Sequence, residues 1–575
     1  MYQSRRRKIL QLLYGFFLFI FILILRLAYL QINQGENFSV LGKKNFLRTE
    51  FISPLRGNLI DRNGVLLAAN RPVFDVYWQG SGNYNFSDEQ KTFLSKVEQI
   101  CDLDFEKSKK VRSIRSIERY SKRILLKSDI SFEELCCISE QCAYSFNIII
   151  RNRFKRFYPH LKLASHILGY LSRKEEEYTT TGLAGLEKIF QDELKGEAGY
   201  VLNIINSRGT KLDQMDLKCA RAGNDIRLTL DSRLQKIAED VFEPDQAGTF
   251  ILMNPQDGSI LTMFSFPNFD PNIFLEPISQ DVWKNKLNRN STFLNRATNA
   301  VYPPASIFKL VTFAAGLQEK VINSDTKFKC KGYTQFCSRK YHCIRRWGHG
   351  KLDSKKALAY SCNIPCFQIA QKIRINQFAD YAFKFGLGCK TGFLLPELSG
   401  LVPTYEWKAD VKNEPWWKGE TLSVSIGQSY TLVTPLQVAR MISSICTGFL
   451  VKPRILDVEE IEKKELEISQ DTLEFLRRAM KGVVEYGSAK ILNKLKGFDI
   501  FAKTGTAQTS SLAKEKISKK QLEHAWLASY FNYKGRNPLT LVVMVENVGT
   551  SAPARKIAYR FLQEYKKMKD KDELD

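Results

Sequence analysis

The 575-residue sequence predicts an α+β protein. An N-terminal membrane-spanning helix precedes a region of short strands, turns and charged helices, and a C-terminal mixed domain has a central sheet closed by its last strands. Three observations predict it. One long apolar run follows a basic cluster; strand patterns bracket the C-terminal half with helical patterns between them; and the pattern changes from strand to helix at Asp231.

Arg5, Arg6, Arg7 and Lys8 precede an apolar run from Ile9 to Leu25, which Leu27 to Leu30 extend past Arg26. A helix over Ile9 to Leu30 spans roughly 33 Å at about 1.5 Å per residue, enough to cross a hydrocarbon core. Arg26 then lies near the far interface, where its stem snorkels. The basic cluster places residues 1–8 in the cytoplasm and everything after about Gln31 outside. Leu30-Gln31-Ile32-Asn33-Gln34 lacks a small-residue cleavage pattern, so the segment reads as an uncleaved, single-pass anchor rather than a signal peptide.

Lysine and arginine total 86 against 61 acids, a formal charge of +25. No finger, helix-turn-helix or RNA-binding signature accompanies that charge, and an exported domain does not meet nucleic acid. An anionic membrane or wall polymer is the more available counterpart.

Residues 31–230 form the non-catalytic region. Ser53 to Gly64 holds a short strand between turn signals, Asn63-Gly64 is a favoured hairpin turn, and Val65-Leu66-Leu67-Ala68 returns as its partner. Arg56, Asp61 and Arg62 are placed to tie this clasp to its neighbours. Phe86 to Cys142 reads as helical and linker-rich, with Cys136, Cys137 and Cys142 close enough in sequence for a disulfide. Gly182 to Glu187 reads as a turn entering a helix, with Glu187 bracing a junction. Asp225 to Leu230 alternates as a strand.

The second domain spans 231–562, followed by a charged tail over 563–575. Thr249 to Asn254 and Ile260 to Phe264 read as hairpin strands around Asp257-Gly258. Trp526 to Phe531 and Leu539 to Glu546 are late strands that close the sheet.

Within this domain three short motifs occur in order: Ser306-Ile307-Phe308-Lys309, Ser361-Cys362-Asn363 and Lys503-Thr504-Gly505-Thr506. Each alone is weak; together they indicate acyl transfer through an activated serine. Ser306 and Lys309, three apart on a helix, face the same side, and a neutral Lys309 can take the proton of Ser306. Burial and nearby positive charge both favour that neutral form. Ser361-Cys362-Asn363, after a helix over Ser354 to Tyr360, reads as a loop tip from which Ser361 relays a proton and Asn363 orients a substrate amide. Lys503 raises the local potential, Thr504 and Thr506 bind a carboxylate or amide, and Gly505 admits a close backbone. The backbone amides of Ser306 and Thr506 are the candidate oxyanion donors.

The chain resembles a class B penicillin-binding protein, a monofunctional peptidoglycan D,D-transpeptidase, over nearly its whole length. Within that family it is most similar to the elongation-specific penicillin-binding protein 2. Beyond the three motifs, the resemblance rests on Arg56-Gly57, Asp61 to Gly64, Gly182 to Glu187, Asn295-Arg296-Ala297, Tyr302 to Ser306, Arg346 to Gly350, Ser425 to Gln428 and Thr434 to Gln437. It implies an elongated, non-catalytic pedestal or dimerisation-type domain before a beta-lactamase-like transpeptidase domain with a central antiparallel sheet flanked by helices. It also implies Ser306 as nucleophile, Lys309 as general base, and a stem peptide ending in D-Ala-D-Ala as donor. A diamino-acid amine of another stem is the acceptor, and beta-lactams acylate the same serine. Implied partners are a polytopic glycosyltransferase and morphogenesis proteins, with the catalytic domain in the periplasm of an inner-membrane protein. Ala305 and Ser429 depart from the glycines usual in the family.

Cys330, Cys337, Cys343, His349 and Cys362 are the densest soft-ligand group in the chain, and three thiolates with one imidazole suit a closed tetrahedral zinc site. The chemistry itself needs no cofactor. Similarity to some elongation-type members favours Cys330, Cys343, His349 and Cys362 as the ligands of a structural zinc. Cys337 is the rival for Cys330 and His342 for His349, while a disulfide among Cys330, Cys337 and Cys343 is the competing use of the thiols.

Other function classes fit less well. A secreted beta-lactamase lacks the large region before residue 231 and the permanent anchor, and no deacylating glutamate is evident here. Residues 31–230 carry no glycosyltransferase signature, against a bifunctional synthase. A D,D-carboxypeptidase, a division-specific transpeptidase and a non-enzymatic scaffold remain as alternatives.

Overall fold

The computed structural model describes residues 2–105, 110–119, 122–173, 180–205, 211–275, 291–507 and 522–573. The chain divides into two compact units. One comprises Met1–Arg56, Asn70–Lys155 and Lys195–Gly223, the other Gly57–Ala69, Arg156–Leu194 and Asn224–Asp575. The clasp and the Gly182–Glu187 segment therefore pack with the C-terminal unit, although both precede residue 231 in sequence.

In the first unit, a helix over Tyr2–Ala28 carries the apolar run, and Ile9–Asn33 is long and apolar enough to cross a membrane. Its large apolar side chains, Phe16 to Leu25, are exposed. Leu47–Ile52, Gly199–Ile205 and Lys211–Lys218 form an antiparallel sheet. A separate core gathers Val76, Trp78, Val97, Leu126 and Ile138. The stretch read as helical holds helices over Asp88–Cys101, Lys110–Arg119 and Phe132–Gln141, but also a strand, Arg123–Ile130, paired with the Leu66–Gln79 strand. Residues 106–109 and 120–121 of that stretch lie outside the described residues. Cys136, Cys137 and Cys142 are free thiols.

The second unit is built on one five-stranded antiparallel sheet. In chain order its principal elements are α1 (Ser232–Asp240), β1 (Gly248–Met253), β2 (Ile260–Phe266), α2 (Lys309–Gln318), α3 (Ser354–Ala359), α4 (Asn363–Ala370), α5 (Pro435–Thr447), α6 (Gln470–Glu485), β3 (Phe498–Ala507), β4 (His524–Tyr533), β5 (Leu539–Val545) and α7 (Ala552–Asp572). The sheet order is β2-β1-β5-β4-β3. The early hairpin and the late strands thus meet at β1–β5, with Gly248 opposite Val545. Side chains alternate across a strand. Phe250 and Leu252 accordingly join α1 and α7 in one core, while Ile251 and Met253 face the core that contains α2 and α5. Burial on both faces is why β1 and β5 read as continuous apolar runs. Residues 563–572 are not a loose tail: they continue α7, which docks through Phe561, Leu562 and Tyr565.

The clasp forms as the sequence predicts. Leu59–Ile60 pairs antiparallel with the strand beginning at Leu66. Asp61 is fully buried and accepts from the amides of Asn63 and Val65 and from the amide and hydroxyl of Ser232. Burial alone would raise its pKa, but these donors hold the carboxylate below its ordinary value.

Glu187 also braces a junction. It is completely buried, accepting from Arg156 Nε at 2.7 Å and Tyr158 Oη at 3.1 Å, while Arg156 Nη1 donates to Gly57 O at 2.7 Å. Gly185 lies at φ +60°, and a Cβ there would sit 2.5 Å from Ile167 O. That glycine permits close backbone packing rather than merely a turn. Removing one partner of a buried ion pair leaves the other uncompensated. Glu187→Ala should therefore cost roughly 3–5 kcal/mol, measured by chemical denaturation of the full chain in detergent; a cost under about 1 kcal/mol, the range of exposed pairs, would contradict this.

Candidate active site

Ser306 lies in a 3-10 turn, Ala305–Ile307, that runs directly into α2, whose first residue is Lys309. Residues three apart eclipse on a 3-10 helix, so the expected common face is retained. Lys309 is fully buried, among Phe308, Leu310 and Phe313. The turn is fixed from behind. Ala305 N donates to Gly427 O at 2.9 Å, Tyr302 exchanges two backbone hydrogen bonds with Val433, and Trp526 Nε1 donates to Pro303 O. A Cβ on Gly505 would lie 3.3 Å from Pro304 O and 3.5 Å from Ala305 Cβ. β3 thus passes beside the segment leading to Ser306, and Gly505 allows that packing.

Ser361 and Cys362 form the short turn between α3 and α4, and both are buried. The helices are held close by Ser361 N to Leu358 O and Cys362 N to Ala357 O. Asn363, the first residue of α4, donates from Nδ2 to His342 O at 3.0 Å. Its amide is therefore already committed on that side.

The three motifs converge on one hydroxyl. Lys309 Nζ lies 3.2 Å and Lys503 Nζ 3.0 Å from Ser361 Oγ. Lys309 Nζ also contacts Ser361 O at 2.7 Å and Asn363 Oδ1 at 2.6 Å. Lys309 Nζ donates to Ser361 O, Ser361 Oγ and Asn363 Oδ1, and Lys503 Nζ donates to the same Ser361 Oγ. Burial lowers the pKa of Lys309, opposed by neighbouring Cys366, Cys362 and Cys343. Lys503 is pushed far below its ordinary value, first by burial and then by Lys309.

The expected Ser306–Lys309 hydrogen bond is not formed, because the amine is engaged by the second motif. Among the described residues, Ser306 Oγ, which is half-buried, has no side-chain hydrogen bond. Thr504 Oγ1 is 2.5 Å from Ser488 Oγ, and Arg555 Nη1 donates to Ser488 O at 2.6 Å. Neither Ser488 nor Arg555 belongs to a recognisable motif, so sequence reading missed both.

Ala305, Ser361 and Ser429 have φ values of +49°, +57° and +70°. This is the left-handed region, which costs a non-glycine residue about 1–2 kcal/mol. It explains why glycine is usual at the two departures, Ala305 and Ser429.

Cys330, Cys343, His349 and Cys362 place their ligand atoms within 4.8 Å of one another. Cys343 Sγ is 3.7 Å from Cys362 Sγ and 3.5 Å from His349 Nδ1; Cys330 Sγ is 3.6 Å from the same nitrogen. Zinc–sulfur bonds of about 2.3 Å set tetrahedral sulfurs about 3.8 Å apart, so the donor set and its spacing fit a closed site. Donation from Cys362 pulls the Cys343 thiol down to about 4, and the same bond, with burial, pushes Cys362 up. Cys337 is exposed at the tip of the Tyr333–His342 hairpin, and the cluster does not include His342. All twelve cysteines are free.

Residues 248–563 match the penicillin binding protein transpeptidase domain, and residues 51–228 the penicillin-binding protein dimerisation domain. The peptidoglycan D,D-transpeptidase MrdA of Acinetobacter baumannii is 30% identical over 93% of this chain and 84% of its own. The MrdA of Haemophilus influenzae is 30% identical over 97% and 92% respectively. Among solved structures, penicillin-binding protein 2 of Helicobacter pylori in complex with MreC superposes with a TM-score of 0.76 at 26% identity, covering 91% of this chain and 99% of that one. A chain from a peptidoglycan synthase complex, described as coordinating polymerization and crosslinking, gives 0.74 at 28% identity over 97% of both. The chain belongs to the penicillin-binding protein family and is of the class B, penicillin-binding protein 2 type.

Proposed function

We propose that the protein is a peptidoglycan D,D-transpeptidase of cell elongation. The observation that carries this is the meeting of Lys309, Lys503 and Asn363 around Ser361, one helical turn from Ser306. Ser306 Oγ attacks the carbonyl of the penultimate D-Ala, and its proton passes to Lys309. The D-Ala amine leaves with a proton returned through Ser361. An amine of a neighbouring stem then attacks the ester and regenerates Ser306. Beta-lactams enter the first half of this cycle and remain as acyl-enzyme. The amides of Ser306 and Thr506 hold the developing oxyanion; one such donor contributes roughly 3 kcal/mol. Thr504 and Thr506 receive the donor carboxylate. Asn363, fixed by His342 O, acts mainly by orienting the Lys309 amine.

Relatives named MrdA and structures named penicillin-binding protein 2 support elongation over a division role. Partners of the kind named in the neighbours' titles, MreC and a peptidoglycan synthase complex, fit that role. The apolar helix anchors the protein in the inner membrane with the catalytic unit in the periplasm, an orientation that the cluster at Arg5 to Lys8 supports. Zinc held by Cys330, Cys343, His349 and Cys362 ties Cys362, and with it Ser361 and Asn363, to the Trp347-Gly348-His349 segment. Its contribution is structural, since four protein ligands leave no position for substrate.

Ser306→Ala should abolish covalent labelling by a fluorescent penicillin, and Lys309→Met should slow acylation roughly 10²–10⁴-fold, followed by gel fluorescence. Persistent labelling of the alanine variant would move the nucleophile elsewhere.

The base works as a free amine whose pKa lies below 10.5. The second-order rate of benzylpenicillin acylation should therefore rise with pH through that lowered value and fall on the acid side. A profile that declines with increasing pH across the same window contradicts a lysine base.

Detergent-purified full chain should carry about one zinc per molecule by elemental analysis. Cys362→Ser should lose it and Cys337→Ser keep it; the reverse pattern assigns the ligands wrongly.

A further inference from the structure

Residues 326–356 carry ten lysines and arginines against one acid, Asp353. All ten are exposed, and among the described residues the only ion pair they make is a 4.0 Å contact from Lys356 to Asp353. The ratio across the whole chain is 86 to 61. General basicity therefore does not account for this segment. Elsewhere exposed cations are often paired, as Lys534 and Arg536 are with Asp570 and Glu573.

Aromatic rings are interleaved with the charges. Arg345 sits over the Trp347 ring at 5.2 Å, Lys340 over Tyr333 at 5.0 Å, and Arg339 over Tyr341 at 5.4 Å. Trp347 is 78% exposed and Tyr333 42%. The segment is also rigidly tied to the catalytic junction. His342 O accepts from Asn363, Tyr341 packs on Phe367 of α4, and Cys330, Cys343 and His349 converge on Cys362. A ligand held here is held beside the second motif.

We propose that this surface docks an uncrosslinked peptidoglycan strand, the anionic stem peptides against the cations and the sugar faces against the exposed rings. The inference rests on the proposed transpeptidase function. Cations alone would suit any polyanion. The exposed rings between them suit a carbohydrate carrying carboxylates, and the position beside Ser361 and Asn363 suits the polymer on which that site acts. Unpaired charges of one sign concentrate such a ligand locally, and salt screens the attraction over about 8–10 Å.

The test uses the full chain in detergent and soluble, fluorescently labelled, uncrosslinked peptidoglycan strands, with a quadruple variant, Lys331→Gln, Arg339→Gln, Lys340→Gln and Arg345→Gln. Affinity by fluorescence anisotropy should fall at least about tenfold in the variant. Wild-type affinity should fall with added salt and after amidase removes the stems from the glycan. Penicillin labelling should stay within about twofold of wild type. Unchanged strand binding by the variant overturns the proposal. So does wild-type binding that survives stem removal, or a loss confined to vesicles of anionic phospholipid. If the wild type fails to label with penicillin, the transpeptidase reading fails instead. Lost labelling in the variant alone would mean that the substitutions disturb the catalytic junction, and would overturn a purely docking role.

Discussion

Two lysine amines share a space from which water is excluded, and among the described residues no carboxylate pairs with either. Both contact one hydroxyl, so they lie at most about 6 Å apart, where two full charges would repel by about 3 kcal/mol at an effective dielectric of 20. Desolvation adds to this. The arrangement is tolerable only if at least one amine is neutral, which is the state a general base requires. The fold provides this by driving α2 through the centre of the larger core, where Lys309 replaces what would otherwise be an apolar residue. Lys503 reaches the same point from the edge strand of the sheet. The cost of burying polar groups and the reactivity of the site are therefore one physical fact.

A second constraint lies in the backbone. Ala305, Ser361 and Ser429 all occupy the left-handed region, and each adjoins a motif that contributes to the site. Strain of this kind persists where surrounding structure over-determines the conformation. Here Gly427 O receives Ala305 N, and tight helix-end hydrogen bonds hold Ser361. A Cβ on Gly427 would meet Ala305 O at 2.1 Å, so the strain at Ala305 and the absence of a side chain at Gly427 belong to the same close approach.

Much of this was legible in the sequence because the signals are local. The Asn63-Gly64 turn, the continuous apolar strands and the change from strand to helix at Asp231 each encode their own geometry. The order of the motifs carried the chemistry. What was not legible depends on distant partners. Arg123–Ile130 bunches its apolar residues at Ile124 to Leu126 rather than alternating them, so it does not stand out as a strand, although the capping pairs Ser87/Gln90 and Ser131/Glu134 mark the helices on either side of it. The 563–572 stretch looks like a tail because its charges dominate its composition, yet Tyr565 anchors it. Ser361-Cys362-Asn363 reads as a loop tip because short polar residues favour turns, but the sequence does not show how deeply that turn is buried. Its burial is set by Lys309, Lys503 and the sulfur cluster, none of which is local. The missing Ser306–Lys309 bond has the same origin: residue spacing gives a common face but not the acceptors with which a partner competes.

The cysteine cluster joins these constraints. Cys362 is flanked by the two residues that fix the Lys309 amine, so any force that moves its sulfur moves them as well. The Cys330 to His349 segment has almost no apolar core of its own; its side chains are mostly exposed, and its charges, on Lys331, Arg339, Lys340, Arg345 and Arg346, are all positive. Like charges at this density oppose a compact hairpin. A zinc held by the three sulfurs and the imidazole, as proposed, would offset that repulsion at the base of the segment and leave its outer surface free to remain strongly positive. The same four side chains would then serve two ends. Inward they would fix the segment that carries Ser361, and outward they would support a cationic surface beside it.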